Sequence, residues 1–426
     1  VNGADTRPVV GLFGAFDTGE LGEVALRRVL ESELSRRRPD IDVVALAPFG
    51  SERPIPGDEG RPARPLSLAA GTDSLGLDAL VIAGDVLGDD AAWAMRYPAA
   101  VEAMADRGVA TLALKGTRGG RDAAGLTLWF GVAPAGGDAE LGGLAGMNVW
   151  ARDLATQERL GGTAVQSGDP VLLASRVFSP DALHRRADLL RLCGALPTGR
   201  RLVVETVPGL EAAPAGERLA DAVAAALRID PNVSVVVVNL DPTRDSTLVV
   251  AGLAAERVHH LPAWVGLDDI AAAISGSAAV VASSPPGAHL AAALGVPVSA
   301  IDSGVRDRFD PAVPVLEGDT PEAIRALLAG TRPVDIDAAV QTLDGALAEL
   351  AERLPRTAGA KRPAIEPDEV GSALAVLQQR LVDERTALQA ELSRLQSELD
   401  RLTASPEHRM ARPIRERYQR WQRRRT

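Results

Sequence analysis

Apolar positions along the first 300 residues follow two alternating periods. Short β-rich runs occur at 9–14, 43–46, 79–83, 109–114 and 148–150, with helix-compatible stretches between them. In one such stretch, residues 23–37, Val24, Leu26, Val29, Leu30 and Leu34 recur at helical spacing before Pro39 stops the pattern. A second series has strands at 202–205, 233–239, 258–260, 280–282 and 296–301, with Ala-rich helices at 217–227, 267–274 and 288–294. The segments 50–65 and 116–137, rich in Gly, Pro and charge, read as loops. Strand–helix alternation builds parallel sheets with right-handed crossovers. Two such series in tandem predict an α/β chain of two Rossmann-like (GT-B-like) domains facing a cleft, residues 1–197 and 198–354. Ligands of such sheets bind at the carboxyl ends of the strands.

The pattern changes after the helix at 336–354. Residues 355–368, with Pro355, Pro363 and Pro367, form a linker. Leu374, Leu381, Leu388, Leu395 and Leu402 then recur every seven residues, and Leu392 and Leu399 complete the last two a/d pairs. This is coiled-coil patterning over 369–404, with Gln378 and Arg385 at a positions, and it predicts a homodimer. In the basic tail at 405–426, eight arginines face two glutamates, and Met410, Ile414, Tyr418 and Trp421 fall on one helical face. Such a helix suits peripheral contact with an anionic membrane surface, or with the acidic body of the protein.

Composition narrows the classes. The chain is 46% hydrophobic but only 3% aromatic, so its cores are built of Ala, Val and Leu. A net charge of −11 disfavours nucleic acid as a partner. Cys193 is the only cysteine, which excludes an intramolecular disulfide and a cysteine-based zinc site. No apolar run of about 18 residues and no basic-then-apolar start are found, so a cytoplasmic location is expected, peripheral at the inner face of the membrane if the tail binds there.

Candidate chemistry starts after the first strand, where residues 14–26 supply glycines for a tight turn and a helix start that could face a ligand. No Walker loop and no Gly-x-Gly-x-x-Gly is present. Asp17, Glu20 and Glu23 would repel phosphate and suit sugar hydroxyls, although Glu20 and Glu23 also favour the positive end of a helix. His259-His260 lacks a third ligand at metal-site spacing. Arg306 and Arg308 follow the last strand of the second series and could clamp an anion or pair with Asp307 and Asp310.

Several of these segments resemble the bacterial polysaccharide pyruvyl transferase family. Gly19-Glu20-Leu21-Gly22-Glu23-Val24-Ala25 is similar to the family's Gly-Asn-x-Gly-Asp-x-Ala, with Glu for Asn and for Asp. The stretch from Asp78 to Asp85 resembles Asp-x-hydrophobic-Gly-Gly-Gly-Asp, with Ile82 and Ala83 replacing two glycines. Arg152-Asp153 and the turn Gly168-Asp169-Pro170 follow in the family's order. In the second domain, residues 282–289 resemble a Ser-x-x-His-Gly motif, except that Pro286 stands at the histidine position and Ser284 at an alternative arginine.

The resemblance implies transfer of pyruvate from phosphoenolpyruvate to a sugar or lipid-linked glycan in cell-surface polysaccharide biosynthesis. Phosphoenolpyruvate is then the donor substrate, and no cofactor or metal is implied. The matched segments assign a catalytic role to Arg152 and substrate binding to Gly19, Glu20, Gly22, Glu23, Asp85 and Ser284; His289, three residues beyond the family's histidine position, is expected to substitute as the catalytic proton donor, and Arg306 and Arg308, from their place after the last strand, to bind the anionic substrate. Two other readings fit the tandem architecture: a catalytically degenerate scaffold of a glycan-assembly complex, and a GT-B glycosyltransferase using a nucleotide-sugar.

Overall fold

The computed structural model describes residues 7–14, 16, 20–47, 64–65, 78–83, 127–131, 148–151, 164–206, 214–240, 255–262, 265–301, 313–316, 320–330 and 333–356. The chain divides into two compact units, Val1–Pro363 and Ala364–Thr426, and every described residue lies in the first. The coiled coil expected at 369–404, the basic tail and the strand expected at 109–114 lie outside the described residues.

Two parallel sheets form the first unit. Strands β1 (Val9–Phe13), β2 (Asp42–Ala47), β3 (Arg64–Pro65), β4 (Ala79–Ala83), β5 (Thr127–Gly131), β6 (Asn148–Ala151) and β7 (Ala164–Gln166) make a sheet of order β3-β2-β1-β4-β5-β6-β7. The second sheet has the order β10-β9-β8-β11-β12, from β8 (Arg201–Thr206), β9 (Ser234–Asn239), β10 (Val258–His260), β11 (Ala279–Ala282) and β12 (Val298–Ala300). Every pairing is parallel. In each sheet the order reverses beside the first strand, between β1 and β4 and between β8 and β11. These are the topological switch points at which α/β sheets open a ligand crevice.

Burial explains the strand sequences. All six positions of β8 are buried, and the four consecutive valines of β9 are buried too. Helices cover both faces of a parallel sheet, so its central strands need continuous rather than alternating apolar residues. The α/β architecture expected from the sequence is therefore present. One expected loop is interrupted, because β5 lies inside residues 116–137. Its Thr127-Leu-Trp-Phe run is strongly β-favouring, but the Gly-rich flanks dominate the composition of that window.

The two halves interlock through their helices. These are α1 (Leu21–Arg37), α2 (Pro180–Leu192), α3 (Pro214–Ile229), α4 (Leu267–Ser275), α5 (Pro285–Ala293), α6 (Thr320–Leu328) and α7 (Asp337–Arg353), with a 3₁₀ helix at Pro170–Arg176. Ser179 caps α2 by accepting from Ala182 N–H at 3.3 Å, and Gly194 with φ +74° lets the chain turn just beyond its end. Although α2 precedes the second sheet, it packs on α4, with Arg186 bonded to Asp269. The last helix, α7, returns to pack on α1 and the 3₁₀ helix.

An ion network fastens that return. Glu33 of α1 is buried and accepts from Arg36, Arg37 and Arg176, while Asp344 of α7 accepts from Arg176 at 2.6 and 2.7 Å and also from Arg37. Burial alone would raise the Glu33 carboxyl, but the Arg36 hydrogen bond and the three guanidinium charges hold it below its ordinary range. Arg201 is also buried, and its Nε donates to Ala273 O at 3.0 Å, the C-terminal end of α4. Desolvation pushes this guanidinium down to about 10. It faces helix carbonyls, which a cation stabilises. Among the described residues, no helix is long and apolar enough to cross a membrane.

Candidate functional site

The two switch points meet. From β1 the chain passes Gly14, where a Cβ would lie 2.8 Å from the carbonyl oxygen of Ala83 on β4. The first amide of α1, Leu21 N–H, then donates to Leu240 O at 2.7 Å, just beyond β9 in the other half. One residue on, a Cβ at Gly22 would lie 2.9 Å from Cβ of Pro286, so the start of α1 is pressed against the start of α5. No larger side chain fits at position 22 without moving the two halves apart. Glu20 is the exposed N-cap of α1, and Glu23 is buried in its first turn, where the helix dipole favours a carboxylate.

On the opposite wall the central feature is Glu205, near the carboxyl end of β8. It is 1% exposed. Its carboxylate accepts from Ser283 N–H and Ser284 N–H, both at 3.0 Å, and from the Ser284 hydroxyl. The Ser283 hydroxyl donates to the Glu205 carbonyl oxygen at 2.7 Å. A Cβ at Gly287 would overlap the carboxylate, so glycine there is what admits it. Desolvation pushes the Glu205 carboxyl up to about 7, against the lowering effect of its hydrogen bonds with Ser284 and Ser283.

The start of α5 can be accounted for donor by donor. Ser284 N–H is bonded to Glu205, Pro285 and Pro286 have no N–H, and Gly287 N–H donates to Ser284 Oγ at 3.3 Å. Ala288 N–H makes the first intrahelical bond, to Ser284 O. Every donor that a helix N-terminus normally offers to an anion is therefore absent or occupied from within.

His289 sits elsewhere. It lies one turn into α5, three residues beyond Pro286, and is 1% exposed. Its Nδ1 is 3.2 Å from Oδ2 of Asp169, which is equally buried. The other oxygen of Asp169 accepts Val171 N–H at 2.8 Å and so caps the 3₁₀ helix. The histidine expected to donate a proton thus contributes to the packing between α5 and the 3₁₀ helix.

Of the residues singled out from the sequence, Gly22, Glu23 and Ser284 come to the junction, Glu20 lies at its rim, and His289 lies beneath it. Gly19, Asp85, Arg152, Arg306 and Arg308 lie outside the described residues. Sequence reasoning did not single out Glu205. Its signal was an acidic residue closing the apolar run Leu202-Val203-Val204, with Gly287 three residues beyond Ser284. Among the described residues, no three His, Cys, Asp or Glu side chains are grouped to hold a metal.

No family model matches the chain, and no curated protein matches it. Solved structures with a similar course of the backbone include UDP-GlcNAc 2-epimerase from Neisseria meningitidis bound to UDP-GlcNAc. That protein is 12% identical, over 86% of this chain and 99% of that one, with a TM-score of 0.46. The Staphylococcus aureus MnaA–UDP co-structure is 12% identical, over 84% and 93%, at 0.45. E. coli ADP-heptose LPS heptosyltransferase II is 16% identical, over 81% and 99%, at 0.41. The likeness is one of α/β architecture, and the chemistry of this junction rests on its own residues.

Proposed function

We propose that this chain is a sugar-processing protein of GT-B type, which holds the sugar part of an activated-sugar ligand where its two switch points meet. The observation that carries the reading is the contact of Gly22 with Pro286, which joins the carboxyl ends of both sheets in one place. One wall of that place carries carboxylates, Glu20 at the rim and Glu23 beside Gly22, while Glu205 is buried beneath the serines that precede Pro286 and holds that wall in shape. Carboxylates accept hydrogen bonds from sugar hydroxyls and repel phosphate, so the junction suits the hydroxyl-rich part of a ligand. In this reading the coiled coil pairs two copies, and the basic tail places them at an anionic membrane surface where a lipid-linked glycan acceptor resides.

The test is a thermal-shift series on the full chain with nucleotide-sugars, free sugars and phosphoenolpyruvate. A ligand bound only by the folded state raises the melting temperature. The reading expects a response to nucleotide-sugars that Gly22→Val abolishes, and no response to any sugar compound would contradict it.

One observation favours pyruvyl transfer as a second reading. The segments that resemble the pyruvyl transferase family meet in pairs, Gly22 with Pro286 and Asp169 with His289. Under this reading phosphoenolpyruvate is the donor, and His289 must come free of Asp169 to protonate its methylene carbon. Incorporation of labelled pyruvate into a sugar acceptor, lost in His289→Ala, would favour it over the first.

A further inference from the structure

The Ser284 hydroxyl is the outer end of a hydrogen bond whose inner end is a buried carboxyl. It donates to Oε1 of Glu205 and accepts Gly287 N–H at 3.3 Å, while Oε2 of Glu205 takes the Ser283 and Ser284 amides, both at 3.0 Å. Glu205 is 1% exposed, but Ser283, Ser284, Pro285 and Pro286 are only partly buried, and Pro286 meets Gly22 across the junction.

That bond has two directions. A serine hydroxyl has one proton to donate and two lone pairs to accept with. With Glu205 ionised, the proton is committed to Oε1, one lone pair takes Gly287 N–H, and the other is left as an acceptor. When a proton reaches Oγ from solvent, the hydroxyl's own proton passes to Oε1 and no bond between heavy atoms changes. Glu205 then donates to Oγ, both lone pairs are taken, and the serine proton is left as a donor. The two amide bonds to Oε2 persist in either form. Burial favours the neutral carboxyl and takes it to about 7, so both forms are populated near neutrality. The surroundings leave the exchange to this pair. β9 places Val238 and Asn239 beside Glu205, β11 leads through Ala282 into the serines, and α5 contributes Gly287, none of which titrates. His289 of α5 is paired with Asp169, and Glu20 and Glu23 lie on α1 beyond Pro286. Among the described residues, no charged group contributes to the Glu205 shift.

We propose that Glu205 and Ser284 form a switch at the junction: ionised Glu205 leaves the Ser284 hydroxyl as an acceptor, and protonated Glu205 leaves it as a donor to a sugar oxygen that can only accept, the ring or glycosidic oxygen. Glu205 is thus a positioning residue that acts through Ser284, and the switch rests on the sugar reading of the junction only for its ligand. Glu205→Gln fixes the donor form, because its carbonyl oxygen replaces Oε2 and its NH2 donates to Oγ from the place of Oε1.

The experiment uses the full-length native chain, Glu205→Gln and Ser284→Gly, the mildest loss of a cap hydroxyl, with Ser284→Ala in its place if the glycine variant does not fold. Affinity for UDP-glucose and ADP-glucose is measured from about pH 5.5 to 8.5. The native chain should bind about three- to tenfold more weakly at the alkaline end. Glu205→Gln should hold the native acidic-limit affinity throughout, and the Ser284 variant should bind weakly with no such dependence. Tighter native binding at the alkaline end, or the same profile in native and Glu205→Gln, would overturn the switch. A Ser284 variant that keeps the native profile would also overturn it, since repulsion between Glu205 and an anionic ligand would then suffice. A second arm needs no ligand: carbon-13 NMR of the Glu205 carboxyl. Its midpoint should rise by about half a pH unit or more in the Ser284 variant, which lacks the hydroxyl that favours the carboxylate. The native Ser283 and Ser284 amides should stay protected from exchange on both sides of the midpoint. An unmoved midpoint, or loss of that protection on protonation, would overturn the switch. If neither nucleotide-sugar binds the native chain at any pH, the sugar reading falls and this titration alone decides the switch.

Discussion

Replacing Glu205 by Gln should change how stability depends on pH in a way that no exposed carboxylate could. The variant keeps the size of the side chain and an acceptor oxygen for the Ser283 and Ser284 amides, and removes only the ionisation. The ordinary value of this carboxyl is 4.5, and burial takes it to about 7 in the folded chain. Between those values the folded state holds a proton that the unfolded chain has released. Stability therefore falls as pH rises through the window, and the whole penalty is present above neutrality. The difference corresponds to about 3 kcal/mol, of which about 2–3 kcal/mol develops between pH 5 and pH 8. Urea unfolding followed by circular dichroism at several pH values, on both chains, isolates it, since all other titrations are shared. Glu205→Gln should gain about 2–3 kcal/mol relative to the native chain over that range. Parallel curves for the two proteins would refute the claim that burial raises the carboxyl at this position.

Two further outcomes follow from the same geometry. His289→Ala should lose about 2–4 kcal/mol in urea unfolding, because it leaves a cavity and strips Asp169 of a buried neighbour; a neutral result would remove the packing role assigned to His289. Asp344→Ala should release α7 from Arg37 and Arg176, seen as faster amide exchange along residues 337–353, and unchanged exchange there would show that the ion network does not hold the helix. The heptad pattern at 369–404 gives a separate expectation, from sequence alone: if it pairs two copies, Leu388→Pro in the full chain should shift sedimentation from dimer to monomer, and an unchanged sedimentation coefficient would refute that pairing.

Much of the architecture was legible in the sequence because parallel sheets write themselves as apolar runs. β8 is buried along its length and the valines of β9 are buried, so Leu202, Val203, Val204 and the valines of 235–238 stand out without any knowledge of their neighbours. β5 did not stand out, since its five residues sit in a Gly-rich window. The candidate site divides in the same way. The glycine and carboxylates at the start of α1 were visible from spacing. Glu205 was not, because its role depends on Ser283, Ser284 and Gly287, about 80 residues away in sequence, and local pattern carries no record of a contact that long. His289 looked available because a lone histidine near a family motif invites a catalytic role; its neighbour Asp169 lies in the other half of the chain.

Hydrogen–deuterium exchange with a saturating nucleotide-sugar reads out whether a sugar ligand sits where the two switch points meet. Exchange should slow at Leu21, Gly22 and Glu23 and at Ser283, Ser284 and Gly287, with the far end of the second sheet at Val258 to His260 unchanged. Protection confined to regions away from α1 and α5, or none at either helix start under saturating ligand, would contradict that placement.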